Sequence, residues 1–163
     1  MDILIKNGYI VDPQSGLEGV SDILVENGKI RKLKKKIKDS ISCKKIDATG
    51  MHVYPGLIDI HCHLREPGRE DKETIINGSL SAVKGGFTTI CCMPNTSPSL
   101  DSKVSIGFVK NRALKAYCDV LPIGAITIDR AGKELASYGE MVEEDACAFS
   151  DDGDCVMDSL VMR

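Results

Sequence analysis

Long hydrophobic runs are missing from this sequence of 163 residues. No stretch approaches the roughly 20 apolar residues that a membrane-spanning helix needs, so no span is expected. The opening residues Met1-Asp2-Ile3-Leu4-Ile5-Lys6 lack a basic segment leading into a long apolar one, and no signal peptide is expected. Excess charge of one sign is also missing: the net charge is −3, which argues against a nucleic-acid surface. The one basic stretch, Arg31-Lys32-Leu33-Lys34-Lys35-Lys36-Ile37-Lys38, interleaves its charges with Leu33 and Ile37 and reads as the solvated edge of a sheet. Cysteine is not scarce, but a disulfide pattern is. The seven cysteines are odd in number, Cys91 and Cys92 are adjacent, and most lie in apolar strand-like runs. The expectation is reduced, buried thiols in a cytoplasmic protein. Histidine is sparse, with three in the chain and none after His63.

What is present is ordinary for a globular chain: 42% hydrophobic and 28% charged residues, enough for a domain with a sizeable core. Two similar segments come first. Asp2-Ile3-Leu4-Ile5-Lys6-Asn7-Gly8-Tyr9-Ile10 is echoed by Asp22-Ile23-Leu24-Val25-Glu26-Asn27-Gly28-Lys29-Ile30. Each sets Asn-Gly between β-rich runs, which predicts a tight hairpin turn at both places. Asp12-Pro13 and Ser15-Gly16 make the loop between the segments, and Ile46 to Tyr54 reads as a further strand interrupted at Thr49-Gly50. Residues 1–54 are therefore expected to form a small β module without a catalytic grouping.

After Pro55 the rhythm changes to strand, helix, strand, helix. Leu57, Ile58 and Ile60 predict a buried strand ending in His61-Cys62-His63. Glu70, Asp71 and Glu73 suit a helix N-terminus, Ile76, Leu80 and Val83 recur at helical spacing, and Gly85-Gly86 stops the helix. Phe87 to Met93 is a second strand, Ser102 to Tyr117 a second helix with Ile106, Val109, Ala113 and Ala116 on one side, and Val120 to Thr127 a third strand. A short helix over Glu140–Asp145 and a strand over Cys147–Ser150 complete four β/α units, and Val161-Met162-Arg163 reads as helix. Alternation of this kind predicts right-handed βαβ units and a parallel sheet. The expected class is α/β, with residues 55–163 as the first half of a (β/α)8 TIM-type barrel and the front part of a longer protein.

The polar groups gather where strands end: His61, His63 and Arg65 after the first, Asn95 after the second, Asp151-Asp152 after the fourth. In a β/α barrel those ends form the active-site face. Alternation along a strand puts His61 and His63 on one face, where two imidazoles can clamp one metal ion. The plainer alternative is a pair of polar residues where a strand meets solvent. For Asp151-Asp152-Gly153 and for Asn95 the plainer alternative is a turn.

The segments His61-Cys62-His63-Leu64-Arg65-Glu66-Pro67-Gly68, Gly85-Gly86-Phe87-Thr88-Thr89, Met93-Pro94-Asn95-Thr96 and Phe149-Ser150-Asp151-Asp152-Gly153 together resemble the type I dihydroorotases of the amidohydrolase superfamily. His-x-His alone is shared across that superfamily; the Leu-Arg-Glu-Pro-Gly and Met-Pro-Asn-Thr segments are more specific. The resemblance implies that His61, His63 and Asp152 hold zinc, one ion or two, with Asp152 touching both. It implies that His63, Arg65 and Asn95 contact the substrate, Arg65 clamping a carboxylate with its planar fork. No cysteine ligand belongs to the family pattern, so Cys62, Cys91 and Cys92 are expected to pack in the core.

The reaction implied is the reversible, zinc-dependent closure of N-carbamoyl-L-aspartate to dihydroorotate in pyrimidine synthesis, on a small-molecule substrate. A homodimer or an association with aspartate transcarbamoylase is the implied assembly. The proton-moving aspartate and the second metal's histidines are expected beyond Arg163, so the chain of 163 residues by itself is expected to be inactive. The β module is expected to be a sandwich completed by the family's C-terminal end. Two other readings compete: another cyclic amidohydrolase such as a hydantoinase or allantoinase, against which Arg65 and Met93-Pro94-Asn95-Thr96 speak, and a non-catalytic dihydroorotase-like partner, which would not need His61, His63 and Asp152.

Overall fold

A computed structural model describes residues 2–38 and 42–163, which fall into two compact units, Met1–Pro55 and Gly56–Arg163. In the first unit, β1 (Ile3–Asp12) and β2 (Leu17–Glu26) run antiparallel around a Pro13–Gly16 turn. The Asp12 carboxylate holds that turn, accepting from the Gln14 amide at 3.1 Å and the Ser15 hydroxyl at 2.5 Å. β3 (Lys29–Lys34) follows through Asn27-Gly28, both left-handed (φ 51° and 74°), the tight hairpin that Asn-Gly favours. β4 (Lys44–Asp47) and β5 (His52–Val53) each lie parallel to β1. The result is one five-stranded sheet, in the order β3-β2-β1-β4 with β5 also on β1, rather than two facing sheets. Leu4 and Leu24, both fully buried, pack with Ile37 beneath it. Every residue of β3 is exposed, so the basic stretch is a solvated edge as far as Lys34, whereas Ile37 turns into the core.

Asn7-Gly8 does not make the expected hairpin. β1 runs through it, with one extra residue between the pairs Ile5↔Ile23 and Gly8↔Ser21, a β-bulge. Only Asn7 is left-handed there (φ 61°), whereas both residues of Asn27-Gly28 are, and Asp22 holds the bulge. Its carboxylate, 1% exposed, accepts from the Asn7 amide at 2.9 Å and the Ile37 amide at 2.8 Å, and pairs with Lys6 at 3.5 Å. Gly8 is required there by close approach as well: a Cβ would lie 2.6 Å from Val53 Cγ2.

The second unit alternates β6 (Leu57–Cys62), α1 (Ile75–Lys84), β7 (Phe87–Cys92), α2 (Lys103–Ala113), β8 (Asp119–Gly124), a 3₁₀ turn at Ile128–Arg130, α3 (Tyr138–Glu143) and β9 (Ala148–Phe149). All strand pairs are parallel, in the order β6-β7-β8-β9. Ile75, Ile90, Leu100, Ile106, Val109, Val120 and Met141 form the core between sheet and helices. α1 starts at Thr74, whose side chain accepts from the Asn77 amide; α2 starts at a capping box made by Ser102 and Ser105.

Several local expectations shift. Glu70, Asp71 and Glu73 precede α1 instead of opening it, and Asp71 pairs with Arg69 at 3.1 Å. The buried face of α1 is Ile75 and Ser79, whereas Val83 is exposed. Ser79 is buried because its hydroxyl donates to the Ile76 carbonyl and accepts the Tyr117 amide at 3.1 Å. That same bond draws Tyr117 out of α2, which stops four residues early. Leu57, Ile58 and Ile60 are 51%, 63% and 74% exposed: β6 is an edge strand, and the described residues leave more than half of each uncovered. Val161-Met162-Arg163 lies in turns about Asp158, not in a helix. Among the described residues no helix is long and apolar enough to cross a membrane.

Candidate metal centre

β6 delivers His61 and His63 to one side of its C-terminal end, with ring centroids 5.3 Å apart. The Asp59 carboxylate accepts the His61 amide at 3.0 Å and steadies the strand just before them. Across the sheet, β9 leads into Ser150-Asp151-Asp152. Asp152 Oδ1 lies 3.2 Å from His61 Nε2, and Oδ2 lies 3.6 Å from His63 Nε2. One ligand atom from each of the three residues sits within 4.8 Å of the others.

Asn95, after β7, joins this group. Its Nδ2 donates to Asp152 Oδ2 at 2.8 Å, which turns its Oδ1 toward His63 Nδ1 at 2.9 Å. An amide oxygen only accepts, so this network assigns the His63 proton to Nδ1 and leaves the Nε2 lone pair facing Asp152. A cation between that nitrogen and the carboxylate oxygen, a proton or a metal ion, satisfies both. Two imidazole nitrogens and a carboxylate are a donor set that suits zinc and similar divalent ions. The residues present fit a metal ion, and the Asn95 contact to His63 is the kind of second partner that fixes a ligating imidazole.

Arg65 stands two residues beyond His63 with a left-handed backbone (φ 58°). Among the described residues no hydrogen bond or ion pair engages its guanidinium. Its neighbour Glu66 behaves oppositely. Only 3% exposed, Glu66 accepts from Arg112 Nε at 2.5 Å and from the Ile75 amide at 2.8 Å. The structure thus brings His61, His63, Asn95 and Asp152 into one cluster and leaves Arg65 as an uncommitted cation close by in sequence.

The two acids of Asp-Asp-Gly separate cleanly. Asp151 is 3% exposed and its oxygens are taken by the Ile126 and Thr127 amides and, in a short hydrogen bond, by the Thr127 hydroxyl. Asp152 faces the imidazoles. Phe149 packs on Tyr138 of α3, with centroids 4.7 Å apart. Sequence reading missed Thr127, Arg130 and Ser150 as supports: Arg130 Nη1 donates to the Asp152 carbonyl at 2.7 Å, and the Asp152 amide donates to Ser150 Oγ at 3.1 Å. The available signal was that Thr127 closes the third strand run, the one to which no polar group had been assigned.

All seven cysteines are free. Burial pushes the Cys62 thiol up to about 12, with Asp59, Cys91 and Cys118 adding to it, and burial likewise takes Cys92 up to about 12. Both pack with the core, as expected of thiols that are not ligands. Cys147 and Cys155, by contrast, are exposed.

A family profile described as Dihydro-orotase-like matches residues 50–162. The chain is 49% identical to a dihydroorotase of Elusimicrobium minutum (strain Pei191) and 50% identical to a dihydroorotase of Aquifex aeolicus (strain VF5). Both alignments take in 100% of this chain but only 38% and 39% of those proteins. The chain therefore spans about two-fifths of the length of the curated relatives it matches. Among solved structures, the L-hydantoinase (dihydropyrimidinase) from Arthrobacter aurescens matches with a TM-score of 0.79 at 27% identity, over 91% of this chain and 32% of that one. A D-hydantoinase matches with a TM-score of 0.68 at 30% identity, over 88% and 30%.

Proposed function

The chain belongs to the dihydro-orotase-like family, and from that premise we propose that the protein is a dihydroorotase, catalysing the reversible closure of N-carbamoyl-L-aspartate to (S)-dihydroorotate in pyrimidine synthesis. The observation that carries this reading is the His61, His63 and Asp152 cluster, set at the strand ends of a sequence about half identical to dihydroorotases. The four parallel β/α units are read as the first half of a (β/α)8 barrel, and residues 1–54 as one layer of a β-sandwich. The free thiols support a reducing, cytoplasmic setting.

His61, His63 and Asp152 would hold zinc, which activates water and polarises a carbonyl when bound. Asn95 keeps the His63 Nε2 lone pair directed at that centre and has a second amide N–H for substrate. His63 itself borders the same space. Arg65 takes the substrate carboxylate: its guanidinium has no competing partner among the described residues, and its five donors in a fixed fork suit two oxygens. On this reading the aspartate that moves the proton and the histidines of a second metal belong to the part of the relatives' length that this chain does not span.

The test uses the protein at the full length of its relatives. Dihydroorotate should be hydrolysed and hydantoin should not, and the His61→Ala/His63→Ala double variant should lose both its zinc and its turnover. Preference for hydantoin would favour a hydantoinase instead, and undiminished zinc in the double variant would remove the metal assignment.

A further inference from the structure

Of the four strands in the second sheet, β8 sends no side chain to the metal centre, yet the residues after it determine how Asp152 is held. Asp151 Oδ1 accepts from the Ile126 amide at 2.8 Å and the Thr127 amide at 3.0 Å, and its Oδ2 accepts from the Thr127 hydroxyl. Thr127 is fully buried, and its hydroxyl oxygen accepts in turn from the Gly132 amide at 2.9 Å. A carboxylate with three donors, two of them backbone, has no freedom to turn. The next residue is Asp152. Its backbone is fixed on both sides, by Ser150 Oγ at the amide and by Arg130 at the carbonyl. Only its two side-chain torsions remain; Asn95 donates to Oδ2, and the two imidazoles face the carboxylate.

We propose that Asp151 and Thr127 are positioning residues for Asp152: the Thr127 hydroxyl anchors Asp151, and Asp151 anchors the peptide from which the Asp152 carboxylate faces His61 and His63. The proposal rests on the reading of His61, His63 and Asp152 as a metal centre. A purely architectural role would be to tie the end of β9 to the end of β8, and that role predicts a loss of stability without a change at the metal.

Thr127→Ala and Thr127→Ser separate the two, because they differ by a single oxygen. In the protein at the full length of its relatives, zinc affinity is measured by competition with a chromophoric chelator. Thr127→Ser should bind close to the parent, and Thr127→Ala should bind on the order of 10–100-fold more weakly, the usual loss when an outer partner of a ligand is removed. Cobalt supplies the second measurement, since its visible spectrum reports ligand geometry in folded, loaded sites only. The Thr127→Ala spectrum should change while that of Thr127→Ser stays like the parent. Equal zinc affinity and equal cobalt spectra for the two variants would overturn the proposal, even if Thr127→Ala melts earlier. Asp152→Asn is run beside them. If it binds zinc as tightly as the parent, the metal reading fails first; if it binds weakly while the Thr127 variants match each other, only the positioning role fails.

Discussion

Asp22 and Arg65 are charged side chains in opposite situations, and each leads to a measurement. Burial would raise the Asp22 carboxyl, but the Asn7 and Ile37 amides and the Lys6 ammonium outweigh it and hold it below the usual carboxylate range. A depressed folded-state pKa means stability that is present above the unfolded value of about 3.9 and is lost as pH falls through the folded one. Asp22→Ala should therefore lower stability to urea by on the order of 3 kcal/mol at neutral pH, since two buried amides lose their acceptor, and the variant's deficit should shrink in strong acid. A deficit independent of pH would show that the charge is not what matters. Among the described residues Arg65 has no such partner, which is why it is proposed for the substrate. Arg65→Lys keeps the charge and loses the two-oxygen fork. In the full-length protein, dihydroorotate turnover should fall with zinc content unchanged; lost zinc, or unchanged turnover, would move Arg65 out of the clamp role.

At the scale of elements, Glu66 is the joint between the loop after β6, the first residue of α1 and the side of α2. Its buried carboxylate accepts the Ile75 amide and the Arg112 guanidinium together. Arg112→Met leaves that carboxylate with one donor, and a half-buried pair broken on one side should lose about 2 kcal/mol, less than the roughly 3–5 for a fully buried one because Arg112 is partly in water. Glu66→Gln in the Arg112→Met background should recover part of that loss, as measured by chemical denaturation in a double-mutant cycle. Additive losses would mean that the two side chains do not act on each other. Elements were also where the sequence was most and least legible. Asn27-Gly28 and Asn7-Gly8 are the same dipeptide, and a distant carboxylate holds the Asn amide of each, Asp2 for Asn27 and Asp22 for Asn7, yet only the first turns the chain. The second is flanked by β4 and β5, which pair with β1 before and after it and carry the strand straight on, and local propensity carries no information about those partners. The strands of the second sheet were readable because apolar runs ended in polar clusters. The faces of α1 were not, since a buried serine bonded to Tyr117 contributes no hydrophobic signal.

Over the whole chain, the candidate metal cluster and the parallel sheet were legible to different degrees. His61, His63 and Asp152 could be singled out from alternation and from the family motifs, and the structure brings them together. The family motif already pointed to Asp152 rather than Asp151; why the first acid stays out of the cluster is legible only in the packed loop after β8, whose amides take its oxygens. The expectation of a buried β6 failed for a reason of assembly. Leu57, Ile58 and Ile60 are apolar as a buried strand requires, but they lie on an edge strand where the described residues leave more than half of each uncovered. An exposed apolar edge strand templates pairing with another chain. The 163-residue chain should therefore self-associate as its concentration rises, seen as growing mass in light scattering, and Ile58→Lys should shift that growth to higher concentration. The same chain should not turn over dihydroorotate with zinc supplied, because the described cluster has metal ligands but no further acid or base placed to move a proton, help that is worth roughly 10²–10⁴-fold on its own. A monodisperse chain at high concentration would show that β6 is protected in a way the strand order does not suggest. Turnover like that of an intact dihydroorotase would show that a proton-moving group already lies within these residues, with Asp59, on the strand that bears both histidines, the first to be changed to Asn.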